Sequence, residues 1–171
     1  MGLIMRKTLI AMAASAICLL NTASAAENGY GGAGDASPLF GVTIPAGYRQ
    51  WPLVAVSYET AFDEFRGILG NAAAIKAYAE GAVPFPDGTM LAKLAWKRVP
   101  SGEFNGAFVP GSATTVQFMV KDSRKYAATG GWGFGRFVGG RPVDEAQHRT
   151  CFACHQAHVK DHDFVFTRLA P

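Results

Sequence analysis

The sequence is poor in cysteine, in net charge and in long apolar runs. Only 3 of its 171 residues are cysteines, and the formal net charge at pH 7 is +3. A charge this small indicates neither nucleic acid nor an anionic membrane surface as a partner. Apart from one stretch near the N-terminus, no apolar run approaches the roughly 20 residues that a membrane-spanning helix needs. The chemistry of this chain must therefore be carried by a few local motifs.

The one apolar stretch has the layout of a secretory signal. Arg6 and Lys7 precede an almost wholly apolar segment, residues 8–20, and small residues follow it. This order predicts a signal peptide over residues 1–25 and export to the periplasm. Cleavage would also remove Cys18, so that the mature chain keeps only the two cysteines of a single motif near its C-terminus.

The rest of the chain divides into a leader and one domain. Residues 26–38 are rich in glycine and predict a flexible leader without a packed core. From residue 39 to residue 171 the composition is that of a globular domain, and no internal repeat is present.

Alternating and helical patterns predict an α+β fold with an antiparallel sheet rather than a helical bundle. Helices are predicted at residues 71–80 and 144–158, and strands at residues 89–98, 114–121, 131–138 and 164–167. In the first of these strands, Leu91, Lys93 and Ala95 share one face. In the third, alternate glycines leave one face bare, which lets either a flat ligand or another part of the chain approach closely.

The motif Cys151-Phe152-Ala153-Cys154-His155 has the spacing of a c-type haem attachment site. In such a site both thiols bond to the haem and the histidine becomes an axial ligand of the iron. A thioredoxin-like pair would instead follow an early strand of a βαβ unit. A zinc site would need His158 and His162 as further ligands, at a spacing shorter than that of the usual zinc fingers. The secretory signal favours one covalently attached haem c with His155 on the iron.

Few residues could serve as a sixth ligand of that iron. The candidates are Met90, Met119, His148, His158 and His162. The last two follow the motif too closely to reach the opposite face of a haem easily. We therefore expect a five-coordinate iron with an open, ligand-accepting face.

Two cationic side chains have both a structural and a functional interpretation. Lys93 lies on an apolar face of its strand, so it either extends to solvent or is a buried amine whose lowered pKa makes it nucleophilic. Arg66 is either an ordinary surface arginine or a cation that stabilises a negatively charged ligand on the haem.

Several short motifs in order resemble the cytochrome P460 family, whose relatives include the cytochromes c′-β. The resemblance extends from about Tyr48 to Leu169. It rests on Tyr48-Arg49-Gln50-Trp51, Asp87-Gly88-Thr89 with Lys93 four residues later, Met119-Val120-Lys121-Asp122-Ser123, Gly131-Trp132-Gly133-Phe134, the C-x-x-C-H motif and Asp163-Phe164-Val165-Phe166-Thr167-Arg168.

The resemblance implies a curved antiparallel sheet with flanking helices, usually in a homodimer. It implies a five-coordinate c-type haem with His155 as its proximal ligand, and a covalent bond from Lys93 to a haem meso carbon. A distal arginine of the family falls near Arg66. The activity implied is the oxidation of hydroxylamine to nitrous oxide or nitric oxide, with electrons passing to a soluble periplasmic redox partner.

The chain departs from the family pattern at the residue after Lys93. Leu94 stands where other members carry a glutamate. Deprotonation of hydroxylamine needs a proton acceptor in the pocket. Four carboxylates are candidates for that role: Glu64, Glu103, Asp144 and Glu145.

Two further functions remain as alternatives. A protein of the c′-β kind would bind nitric oxide or carbon monoxide without turnover, in an apolar pocket lined by phenylalanines such as Phe62, Phe65 or Phe85. A plain electron-transfer cytochrome would need a strong sixth ligand. Neither alternative involves nucleic acid or a membrane.

Overall fold

Six strands form an antiparallel sheet in the part of the chain that the computed structural model describes, Met1 and residues 35–171. Their order across the sheet is their order in the sequence, because each strand pairs with the next. The strands are β1 (Leu53–Glu59), β2 (Glu64–Gly70), β3 (Met90–Pro100), β4 (Phe108–Lys121), β5 (Trp132–Val138) and β6 (Arg141–Pro142). The sheet is curved, and the predicted α+β class with an antiparallel sheet is confirmed. The predicted signal peptide and most of the predicted leader lie outside the described residues.

Two α-helices flank the sheet, and side-chain caps define where they begin. Helix α1 (Ala72–Glu80) starts where Asn71 Oδ1 accepts the amide of Ala74 at 3.0 Å, and it ends at Gly81, whose φ is +63°. Helix α2 (Glu145–Val159) is capped by Asp144. Helix α1 was predicted from its caps, and helix α2 was predicted around the C-x-x-C-H motif. Within the described residues, neither helix combines the length and hydrophobicity that crossing a membrane requires.

The strands agree only partly with the sequence prediction. The predicted strands that correspond to β3, β4 and β5 are present, although β4 begins earlier than expected because its hairpin with β3 continues to the pair Pro100–Phe108. Strands β1 and β2 were not predicted. Strand β1 shows no regular alternation of buried and exposed residues, as is common at the edge of a sheet.

The strand predicted at residues 164–167 is absent, and that prediction is wrong. Asp163 and Phe164 have φ angles of +48° and +63°, which turn the chain instead of extending it. The carbonyl groups of the segment also bond to side chains rather than to a neighbouring strand. Tyr78 donates to Thr167 O at 3.2 Å, and His155 Nδ1 donates to Phe164 O at 2.6 Å.

Apolar clusters cover both faces of the sheet. One face carries a cluster around Phe118 and Phe137, and the other carries a cluster around Trp132 and Phe134 that extends to helix α1. Ser37 is also buried and donates to Phe134 O at 3.0 Å. Packing of the chain thus includes Ser37, which the sequence analysis assigned to the leader.

The face of β5 that carries the alternate glycines is covered by side chains of the same chain. A Cβ atom on Gly133 would lie 2.3 Å from the ring of Tyr126, and one on Gly135 would lie 2.9 Å from the side chain of Val42. The glycines therefore allow close packing within the chain, which is the second of the two roles considered for them.

Candidate functional site

A cavity of about 960 Å³ lies between helix α2, residues 165–168 and the face of the sheet that carries Trp132 and Phe134. Its volume is at the upper end of the range for small-molecule and cofactor pockets. The structure brings all five candidate site residues to its wall: Arg66, Lys93, Cys151, Cys154 and His155. These residues come from two neighbouring strands and from a helix that is distant in sequence.

Helix α2 presents three of these groups together. Cys151, Cys154 and His155 are spaced i, i+3 and i+4, so they share one side of the helix. Cys151 is partly buried and Cys154 is exposed, and neither is in a disulfide. Burial raises the pKa of the Cys151 thiol, while the guanidinium of Arg136 lowers it to a smaller extent.

The imidazole of His155 is held in one orientation. Its Nδ1 donates to Phe164 O at 2.6 Å, and its ring contacts the rings of Phe134 and Phe166 with centroid distances of 5.1 and 4.9 Å. Burial lowers the pKa of His155, opposed by the bond to Phe164. A histidine bonded in this way through Nδ1 keeps Nε2 as the free nitrogen that can ligate a metal.

Lys93 lies at the centre of the sheet, with Ile68 of β2 and Gln117 of β4 as its cross-strand neighbours. Among the described residues, no hydrogen bond or ion pair engages its ammonium group. Burial and, to a smaller extent, the charges of Arg66 and Arg136 together lower the pKa of Lys93 to about 8. The side chain points into the cavity rather than to open solvent. Of the two interpretations of Lys93, the structure therefore favours the amine with a lowered pKa, on a side chain that is half-buried.

Arg66 is not an ordinary surface residue, because its side chain is only 18% exposed and lines the cavity. Its two terminal nitrogens contact two carboxylates, Glu59 at 3.2 Å and Glu64 at 3.5 Å. Its Nε is buried without a hydrogen-bond partner in the structure. The three residues place a cation and two potential proton acceptors on one wall of the cavity.

Only one of the four predicted carboxylate candidates lines the cavity. That residue is Glu64. Glu103 is exposed in the β3–β4 connection, Asp144 caps helix α2, and Glu145 pairs with an arginine one turn along that helix. Glu59 also lines the cavity but was not among the predicted candidates. If strand β1 had been predicted, its two-residue period would have placed Glu59 on the same face as Ala55 and Ser57.

The candidate sixth ligands are distributed unevenly. Met119 and His158 line the cavity, whereas Met90, His148 and His162 do not. His148 is fully buried and both of its nitrogens are hydrogen-bonded, to Asp144 O at 2.9 Å and to the Arg136 amide at 3.1 Å.

The zinc alternative finds no support in the geometry. Within residues 35–171, no three histidine, cysteine, aspartate or glutamate side chains converge in a way that could hold a metal ion.

Two features of the cavity wall were not found from the sequence. Arg136 of β5 lines the cavity, and its Nε is also buried without a hydrogen-bond partner in the structure. Three apolar side chains at the cavity remain strongly exposed: Val56 at 70%, Phe62 at 61% and Phe166 at 48%. Of the phenylalanines named from the sequence, Phe62 lines the cavity, but Phe65 and Phe85 do not.

These residues fit a c-type haem. The two free thiols and His155 supply the attachment groups and the axial nitrogen. The buried Nε atoms of Arg66 and Arg136, which have no hydrogen-bond partner among the described residues, supply donors for a polar group. The exposed apolar side chains supply a surface that a flat macrocycle would cover. The cavity therefore has the chemical character of a haem pocket.

Comparison with known families agrees with this geometry. A family model described as Cytochrome P460 matches residues 45–167, and every residue assigned above to the candidate haem attachment lies within the match. No curated protein matches the chain significantly.

Proposed function

The chain belongs to the cytochrome P460 family, a family of haem proteins, and on that premise we propose that it is a periplasmic c-type haem oxidoreductase that oxidises hydroxylamine. One observation carries the proposal. A single cavity contains Cys151, Cys154, His155 and Lys93, which together could hold a haem by two thioether bonds, one axial nitrogen and one amine. A haem in that position would supply the electron-accepting iron to which hydroxylamine binds.

The chain's own residues would set the haem's position. Cys151 and Cys154 would anchor it to helix α2, and His155 would present Nε2 because Nδ1 is already bonded to Phe164 O. Lys93 would add a further covalent bond from the sheet. Its amine suits that role because burial holds its pKa at about 8, so that far more of it is uncharged near neutral pH than for an ordinary lysine.

The wall formed by Arg66, Glu59 and Glu64 would handle protons. Conversion of two hydroxylamine molecules to nitrous oxide and water releases four protons and four electrons. Glu64 and Glu59 can accept protons, and each is within hydrogen-bond reach of Arg66, at 3.5 and 3.2 Å. Arg66 would thereby hold both carboxylates in place at the cavity wall.

A second function is favoured by one specific observation. The cross-strand neighbour of Lys93 is Gln117, an amide that cannot take up a proton, and both carboxylates at the cavity are engaged by Arg66. If neither carboxylate is free to act as a base, the protein would bind nitric oxide or carbon monoxide in the manner of the cytochromes c′-β. Phe62, which lies beside Arg66, would then contribute an apolar wall for the ligand.

The remaining parts of the proposal come from the sequence. The predicted signal peptide at residues 1–25 supports a periplasmic location, and the released electrons would require a soluble redox partner in that compartment. The family resemblance supports a homodimer.

Turnover of hydroxylamine by the purified holoprotein, with a soluble dye as oxidant, tests the proposal. We expect nitrous oxide or nitric oxide to form, and Glu64→Gln to lower the rate by roughly 10²–10⁴-fold because a general base contributes about that much. Glu103→Gln is the matched control, since Glu103 is exposed and lies outside the cavity. Tight nitric oxide binding without any turnover would instead establish the second function.

A further inference from the structure

A buried ion pair lies next to the haem-binding segment without lining the cavity. Lys121, the last residue of β4, donates to Asp163 Oδ1 at 2.7 Å and to Oδ2 at 2.9 Å, and both side chains are only 7% exposed. Lys121 also donates to Gly130 O at 3.0 Å. Taking two charges out of water is costly, so a buried ion pair is weak evidence for stability by itself. Its position indicates a more specific role.

Asp163 joins the C-terminal segment to distant parts of the chain. Besides Lys121, its carboxylate accepts the amide of Phe85 at 2.8 Å. The backbone of Asp163 and that of Phe164 are both left-handed, with φ angles of +48° and +63°. That conformation is an outlier for a bulky residue such as Phe164, and it persists only where the surroundings enforce it.

The Phe164 side chain also helps to hold this left-handed backbone conformation. A Cβ atom on Gly130 would lie 2.1 Å from the Phe164 ring, so only glycine at that position allows the ring to lie there. The same Gly130 accepts a hydrogen bond from Lys121. The ion pair with Lys121 therefore holds Asp163, and the close packing of its ring against Gly130 holds Phe164.

The held turn directs its carbonyl group at the histidine of the C-x-x-C-H motif. Phe164 O lies 2.6 Å from His155 Nδ1. A hydrogen bond from Nδ1 to an acceptor fixes the ring and raises the basicity of the other nitrogen. A more basic axial nitrogen stabilises ferric over ferrous iron.

We propose that Lys121 and Asp163 are positioning residues that hold the Phe164 carbonyl on His155 and thereby set the reduction potential of the haem. Neither residue touches the haem pocket, so they act only through the turn. The inference rests on the proposed ligation of the haem iron by His155.

The test uses holoprotein carrying the double substitution Lys121→Met with Asp163→Asn. Asparagine keeps an acceptor for the Phe85 amide and tolerates the left-handed backbone. Because the double variant leaves no buried charge unpaired, it should fold even if Asp163→Asn alone does not. Resonance Raman of the ferrous protein gives the iron–histidine stretching frequency, and a redox titration gives the midpoint potential.

We expect the stretching frequency to fall and the potential to rise in the double variant. The ratio of ferric to ferrous haem at a given potential should change about tenfold, because residues that hydrogen-bond to a metal ligand typically alter metal-site properties by at least that factor. A tenfold change corresponds to a shift of about 59 mV in the midpoint potential of a one-electron couple. Unchanged values in a folded double variant would overturn the inference.

Val116→Ala separates positioning from general destabilisation. Val116 is buried in the cluster on the other face of the sheet, so its truncation lowers stability without contacting the turn. An equal shift in this variant would show that the ion pair has only a structural role.

Mass spectrometry of the wild-type haem peptides comes first. Haem absent from Cys151 and Cys154 would refute the proposed function itself, whereas attached haem with an unaltered spectrum in the double variant would refute the inference alone.

Discussion

Lys93 should bond to the haem at a rate that increases with pH and levels off above about pH 8. Only the uncharged amine is nucleophilic, and burial lowers the pKa of Lys93 from 10.5 to about 8. At pH 7 about one amine in ten is then uncharged, compared with about one in 3,000 for an unshifted lysine. The environment of Lys93 thus raises the reactive fraction roughly 300-fold.

The measurement starts from holoprotein that carries haem on its two cysteines but lacks the Lys93 bond. Formation of a carbon–nitrogen bond from an N–H and a C–H group releases two electrons and two protons, so hydrogen peroxide is added as the oxidant. Samples are stopped over time between about pH 6 and about pH 10 and digested with trypsin. Bond formation joins the peptide around Lys93 to the haem peptide and abolishes cleavage after Lys93.

Two variants make the result specific. Lys93→Arg cannot lose its proton and should form no bond at any pH. Lys97→Arg should behave as the wild type, because Lys97 lies outside the cavity and donates to Phe62 O on the surface. A rate that continues to rise to about pH 10, or one that does not depend on pH, would contradict the role given to burial.

The same pKa shift has a consequence for stability before the bond forms. The folded-state pKa of Lys93 lies below the unfolded-state value, so between about pH 8 and pH 10.5 the unfolded chain binds more protons. Stability should therefore rise with pH across that window, by about 3 kcal/mol in total. Urea unfolding of the protein without the bond checks this, and Lys93→Met should remove the rise.

Three further predictions concern attachment and packing. Cys154→Ala should leave haem attached through a single thioether, visible as a shifted absorption band in alkaline pyridine and as the mass of one remaining bond. Gly133→Ala should lower the free energy of unfolding by about 1–3 kcal/mol, because a methyl group there meets the ring of Tyr126. As a control, Gly102→Ala should leave the free energy of unfolding nearly unchanged, because a Cβ atom there would have no neighbour within 4 Å. Asn71→Ala removes the cap of helix α1 and should cost about 1–2 kcal/mol in urea unfolding, and a loss below a few tenths would contradict the capping role.

Much of the fold could be predicted because its signals are local. The cap Asn71 acts on an amide three residues away, so helix α1 was located closely, and helix α2 was placed around the C-x-x-C-H motif to within one residue at each end. The alternation along β3 was also sufficient to place Lys93 on the face opposite Leu94. Strands β1 and β2 escaped prediction because their ladder hydrogen bonds, rather than a strong side-chain pattern, define them.

Five residues of the candidate site could be named from the sequence, but Glu59, Arg136 and the arrangement of the site could not. The C-x-x-C-H spacing on a helix is sufficient to place Cys151, Cys154 and His155 on one side. The approach of Glu59 to Arg66 depends on the pairing register of β1 and β2, which no local pattern specifies. Glu64, by contrast, lies two residues before Arg66 in β2 and shares its face.

The sequence by itself indicated many elements of this protein: the two helices, the strands β3 to β5, the haem-attachment spacing and a predicted secretory signal. Each follows from interactions between residues a few positions apart. Only the tertiary structure decided that Lys93 would be a half-buried amine with no hydrogen-bond partner among the described residues, and that the Phe164 carbonyl would accept a hydrogen bond from His155. Burial depends on what other segments cover, and the Phe164 turn is held by Lys121 and Gly130, which are distant in sequence. The chemistry of the site therefore depends on contacts that form only when the whole sheet has assembled.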